Sequence, residues 1–145
     1  MYEEANEPDP LPVAEPWEYT LHIPRDLCAV TVCRRTLRVI LAVHELGEIT
    51  DVAELLATEL VSNAVRHTKG PVAFRLLWSG GVLRIAAWDA DPSPPAPTLR
   101  AAAPCDAEDG RGLDLVRCCA DTWGWYPLPS GGDTGKYVWC ELGAA

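Results

Sequence analysis

A chain of 145 residues has the length of one ordinary domain and leaves no room for a second core. Its formal charge of −9 at pH 7 gathers at the start, where Glu3, Glu4, Glu7, Asp9, Glu15 and Glu18 stand with no Lys or Arg among them. The remainder is only mildly acidic, and this balance argues against a nucleic-acid binder, which needs clustered positive charge to displace counterions from phosphates.

Residues 1–15 are acidic and proline-rich (Pro8, Pro10, Pro12, then Pro16), a composition that predicts a disordered tail ahead of a single domain over 16–145. From Trp17, apolar Trp17, Tyr19, Leu21 and Ile23 alternate with Glu18, Thr20 and His22, the period of a half-buried strand. Pro24 is expected to open a helix, since a first helical position needs no amide hydrogen. Leu27, Val30, Leu37, Leu41 and Val43 carry that helix to about Leu46, and Gly47 is expected to stop it. Arg25, Arg34, Arg35 and Arg38 along it read as a solvated face.

A second helix starts at Thr50 or Asp51, with Glu54 three residues past Asp51 in a capping-box pattern. Ala53, Leu56, Ala57, Leu60, Val61 and Ala64 recur at steps of three and four, so one face packs on the core. Two strands follow, Val72 to Trp78 and Val82 to Trp88, joined by the hairpin signal Ser79-Gly80-Gly81. From Asp89 to Glu108 the chain is rich in Pro and Ala without period, and is read as a lid or loop. Gly110-Arg111-Gly112 leads into a short helix, and strands at Thr122 to Tyr126 and Tyr137 to Leu142 flank a Gly-rich turn.

No run approaches the ~20 apolar residues that span a bilayer, and the N-terminus lacks the order of a signal peptide. The chain is therefore expected in the cytoplasm, with Cys28, Cys33, Cys105, Cys118, Cys119 and Cys140 reduced. Their spacing suits buried thiols on helices and strands; only adjacent Cys118 and Cys119 come near a metal-ligand pair.

Three features carry chemistry. Glu59 and Asn63 lie one helical turn apart at the margin of the apolar stripe, presenting a carboxylate beside a carboxamide. Taken alone, they read as an exposed Glu and a helix-end Asn. Asp89 follows an apolar strand, where an acid can accept a hydrogen bond from an exocyclic amine in an apolar slot or can equally cap a loop. Gly110 and Gly112 precede a helix, where glycine lets backbone amides approach phosphates, although a lone Gly-x-Gly is common.

Their order resembles the GHKL (Bergerat-fold) ATPases, and most closely the short actinomycete regulatory ATP-binding proteins similar to anti-sigma-factor serine kinases. The resemblance runs from about Trp17 to Leu142. It is carried by Glu59-Leu60-Val61-Ser62-Asn63-Ala64-Val65-Arg66-His67-Thr68, Gly110-Arg111-Gly112-Leu113-Asp114-Leu115-Val116, Ala120-Asp121-Thr122-Trp123-Gly124-Trp125 and Gly135-Lys136-Tyr137-Val138-Trp139-Cys140-Glu141-Leu142.

The resemblance implies an α/β two-layer sandwich, a mixed and mostly antiparallel sheet covered on one face by helices, with ATP and Mg²⁺ between the layers. It implies that Asn63 ligates Mg²⁺, Asp89 contacts adenine, and Gly110, Arg111 and Gly112 shape the phosphate loop. Glu59 becomes the general base. Two positions depart from the pattern. Ala90-Asp91-Pro92 stands where Gly-x-Gly is usual, and Tyr137 stands where a small hydroxyl residue is usual, leaving Thr134 as the substitute and Tyr137 to fill part of the adenine slot. The implied partners are a sigma factor and a small anti-sigma-factor antagonist protein phosphorylated on Ser or Thr, with a homodimer as the assembly. The alternative is a nucleotide-sensing interaction module without phosphotransfer.

Overall fold

The computed structural model describes residues 16–68, 70–91, 120–127 and 135–143. The acidic stretch 1–15, the expected lid or loop beyond Asp91, Gly110, Arg111 and Gly112 with the helix expected behind them, and Thr134 lie outside the described residues, as do Cys105, Cys118 and Cys119.

The first strand, β1 (Trp17–Ile23), is followed by helices α1 (Cys28–Val43) and α2 (Thr50–His67), then by β2 (Val72–Ser79), β3 (Val82–Asp89), β4 (Thr122–Pro127) and β5 (Lys136–Gly143). The strands form one five-stranded sheet in the order β1-β2-β3-β5-β4. Every pairing among the described residues is antiparallel, so the mixed sheet implied by the resemblance is replaced here by a uniformly antiparallel one. The hairpin between β2 and β3 turns on Gly80 and Gly81, both at positive φ, the conformation a two-residue hairpin requires and glycine adopts without steric cost.

Only one sheet face enters the core. Phe74, Leu76 and Trp78 of β2, Leu83, Ile85 and Ala87 of β3, and Val138, Cys140 and Leu142 of β5 share it with the buried faces of both helices. The stripe read from α2 is all there: Ala53, Leu56, Ala57, Leu60, Val61 and Ala64 are buried. α2 lies across β3, with β2 and β5 to either side, and α1 packs on α2. Small alanines in that stripe let the helix approach the sheet closely, while Leu56 and Leu60 fill the space between.

The helix ends depart from expectation, each for a local reason. Residues 24–27 form a turn ahead of α1, in which Asp26 Oδ1 accepts the Cys28 amide at 2.9 Å. Pro24 therefore starts this turn, and the helix begins four residues later. At the other end Glu45 adopts φ 62°, Glu45 N–H reaches Ala42 O and Leu46 N–H reaches Leu41 O. This is a Schellman motif with a glutamate in the left-handed position usually held by glycine. Gly47 opens the following short 3-10 turn, Gly47–Ile49, instead of ending the helix.

The capping box at α2 does not form. Glu54 turns to α1, accepting Arg38 at 2.9 Å and lying 3.6 Å from Arg34. Two of the arginines read as a solvated face thus tie the helices together, at exposures where such pairs contribute little stability.

Burial pushes the Cys33 and Cys140 thiols up to about 12, so neither forms thiolate near neutrality, whereas Cys28 is exposed. Native protein treated with iodoacetamide at about pH 8 is therefore expected to be alkylated at Cys28 and spared at Cys33 and Cys140 until it is unfolded. Peptide mass mapping checks this; rapid native labelling of Cys33 or Cys140 would contradict the described core.

Candidate functional site

The strand registers set one row of residues abreast at the end of the sheet: Ile23, Val72, Asp89, Lys136 and Pro127. Strand alternation turns this row toward the helix layer, since Ala87 and Val138, two residues further along their strands, lie in the core. An aspartate and a lysine therefore face each other directly across β3 and β5. Their side chains are 2% and 3% exposed, and Lys136 Nζ lies 3.1 Å from Asp89 Oδ1. Lys136 Nζ also donates to Asp91 O at 2.9 Å, and Asp89 Oδ1 accepts the Asp91 amide at 2.9 Å. Burial pushes the Asp89 carboxyl up, opposed by the Asp91 amide and the Lys136 ammonium, which favour the carboxylate.

Gly135 makes this closure sterically feasible. At φ 121° it runs so close to β3 that a Cβ there would fall 2.0 Å from Asp89 O and 2.9 Å from Trp88 Nε1. Only glycine satisfies both the backbone angle and the gap.

The end of α2 reaches the same end of the sheet. Thr68, 1% exposed, follows the helix in extended conformation, and its Oγ1 accepts the Gly70 amide at 3.1 Å. Arg25, ahead of α1, donates from Nε to Thr68 O. A Cβ on Gly70 would lie 2.7 Å from the Ala90 Cβ, so the α2–β2 connection packs against the first residue beyond β3.

This connection brings Asn63, one turn before the end of α2, to the end of the sheet that holds Asp89 and Lys136, with Glu59 one turn further back. Both are half-buried, and neither makes a side-chain hydrogen bond or ion pair among the described residues. No cluster of three His, Cys, Asp or Glu able to hold a metal occurs among the described residues. A cation here would rest on Asn63 and on oxygens of the ligand it accompanies, the usual situation for Mg²⁺ with phosphates.

Tyr137 does not fill a slot between the layers. Val138, Cys140 and Leu142 point inward, so Tyr137 points out, where its hydroxyl accepts Arg75 Nη1 at 3.0 Å and its ring meets Tyr126. Arg75 also pairs with Glu18, and the group lines a shallow groove with His22 and Trp88 on the outer sheet face. Nearby, Arg84 lies over the Trp139 ring, 4.2 Å from its centroid, and pairs with Glu141 at 2.7 Å.

The inward residue at the start of β5 is Lys136, which the sequence reading left out of the site. Extending the alternation of Val138, Cys140 and Leu142 back by one step would have found it. Among the described residues no helix is long and apolar enough to cross a membrane. No protein-family model matches the chain, and no curated protein matches it.

Proposed function

We propose that this protein binds ATP with Mg²⁺ between α2 and the sheet, in the manner of the GHKL proteins it resembles. In this reading it is a regulator of the anti-sigma-kinase type, phosphorylating a small antagonist protein and holding a sigma factor. The observation that supports it best is the Asp89 carboxylate, buried on the helix-covered face at the sheet end that Asn63 also reaches. A buried carboxylate beside an apolar core is a suitable acceptor for the exocyclic amine of adenine.

Each residue then has a part. Asp89 orients the base through that amine. Asn63 would hold Mg²⁺ through its carboxamide oxygen, consistent with its lack of a side-chain hydrogen bond among the described residues. Bound there, the ion would supply positive charge that offsets the charge of the phosphates. Glu59 takes the proton from the attacking Ser or Thr hydroxyl of the antagonist as its oxygen bonds to the γ-phosphorus and ADP leaves. Gly110, Arg111, Gly112 and Thr134 belong to this reading through the resemblance alone.

A second reading, a nucleotide-sensing module without phosphotransfer, is favoured by Ala90-Asp91-Pro92, which stands after Asp89 where Gly-x-Gly is usual. Both readings require nucleotide binding. Calorimetric titration with Mg-ATP, Mg-ADP and Mg-GTP is expected to give heat at least for the adenine nucleotides, and Asn63→Ala is expected to weaken ATP binding in Mg²⁺ far more than in chelator. Absence of any heat or thermal shift at about millimolar nucleotide, weak even for a cellular ligand, would remove the pocket.

A further inference from the structure

The Asp89 carboxylate that would read a base already has a cation on it. Lys136 is set by register directly opposite, its Nζ lies 3.1 Å from Asp89 Oδ1, and the same oxygen takes the Asp91 amide. The ammonium is fixed from the other side by Asp91 O, and Gly135 holds β5 against the backbone of Asp89. A ligand amine aimed at this acid therefore meets a charged donor in place. The amine and the ammonium would both make charge-assisted bonds to the carboxylate, but only the ammonium brings a full opposite charge. A neutral exocyclic amine is the weaker competitor.

We propose that Lys136 is a base-specificity residue of the nucleotide pocket, competing with the exocyclic amine of adenine for Asp89. The inference rests on the reading of Asp89 as the base acceptor. Its consequence concerns selectivity as well as affinity. An ammonium beside the acid can donate to a carbonyl oxygen on the base, so a purine carrying oxygen where adenine carries its amine is tolerated in the native protein. Without Lys136 the acid in its ionised form is an acceptor alone, which favours the amine and disfavours the oxygen.

The test compares Mg-ATP with Mg-ITP, whose base has oxygen in place of the amine, by calorimetry on the full chain. Two variants are used: Lys136→Thr, and Lys136→Gln, which keeps one uncharged donor near Asp89 and protects the fold should the shorter side chain fail to. Circular dichroism and a cooperative melt establish that each variant is folded. Removing the competitor is expected to tighten ATP by about 10- to 100-fold, the range of a hydrogen bond to a charged group, with Gln intermediate, while ITP does not tighten.

Folded variants that bind ATP no tighter than wild type, or that tighten ATP and ITP equally, overturn the competition and leave the pocket reading standing. Weaker ATP binding by the variants also overturns it, making Lys136 a ligand contact instead. If neither wild type nor any folded variant binds either nucleotide, the pocket reading falls and the inference with it.

Discussion

Replacing Glu59 with Gln is expected to leave ATP bound while phosphotransfer to the antagonist protein falls by roughly 10²–10⁴-fold, the usual contribution of general-base catalysis. The expectation follows from the helix. Leu56 and Leu60 of α2 are buried in the core, and Glu59 is half-buried one turn before Asn63, without a side-chain partner among the described residues. A half-buried carboxylate at the margin of a packed face is open to a proton from an incoming hydroxyl. Gln keeps the shape and removes the basic oxygen, so binding and chemistry should separate. Asn63→Ala should instead act on binding. Single-turnover transfer from labelled ATP, with nucleotide affinity measured alongside, tests the split. Transfer by Glu59→Gln at the wild-type rate would take Glu59 out of the mechanism, and no transfer from wild type to any antagonist would favour the sensing module.

How much of this was legible in the sequence depends on what decides each feature. The face of α2 and the β2–β3 hairpin are decided locally, by a three- and four-residue repeat and by two glycines at positive φ, and both were readable. The start of α2 is decided by partners elsewhere. Glu54 has the right spacing for a capping box, yet Arg34 and Arg38 on α1 draw it away. Nothing within the segment itself announces that exchange. The sheet order, with β5 between β3 and β4, likewise depends on long-range pairing that no local period encodes.

Asp89 was legible as the acid that ends an apolar strand, where the structure has it. Lys136 was missed because β5 was expected to begin at Tyr137, one residue late. The resemblance put Tyr137 in the adenine slot, whereas a strand's period of two carries the inward face of Val138, Cys140 and Leu142 back to Lys136. The opposite arrangement holds: Lys136 is buried on Asp89, and Tyr137 meets Arg75 on the outer face.

That arrangement sets the largest expected stability effect in the described core. Asp89→Ala is expected to destabilise the protein by about 3–5 kcal/mol, because it strands the buried Lys136 ammonium without its counter-charge. Lys136→Met is expected to destabilise as well, by the cost of protonating the buried carboxyl left behind. The pH dependence follows from the direction of the Asp89 shift. A buried carboxyl held above its ordinary range keeps its proton in the folded state at pH values where the unfolded chain has lost it. Its relative stabilisation is complete below the ordinary carboxylate range and is lost as pH rises through the raised value. Without Lys136 one of the groups favouring the carboxylate is gone, and the shift widens. The penalty of Lys136→Met relative to wild type should therefore be small at about pH 5 and grow by about pH 8. Urea unfolding of both variants and wild type at the two pH values measures this. A cost under about 1 kcal/mol for Asp89→Ala would mean the pair is solvated and contributes as a surface pair does, and a Lys136→Met penalty that shrinks as pH rises would contradict the burial of Asp89.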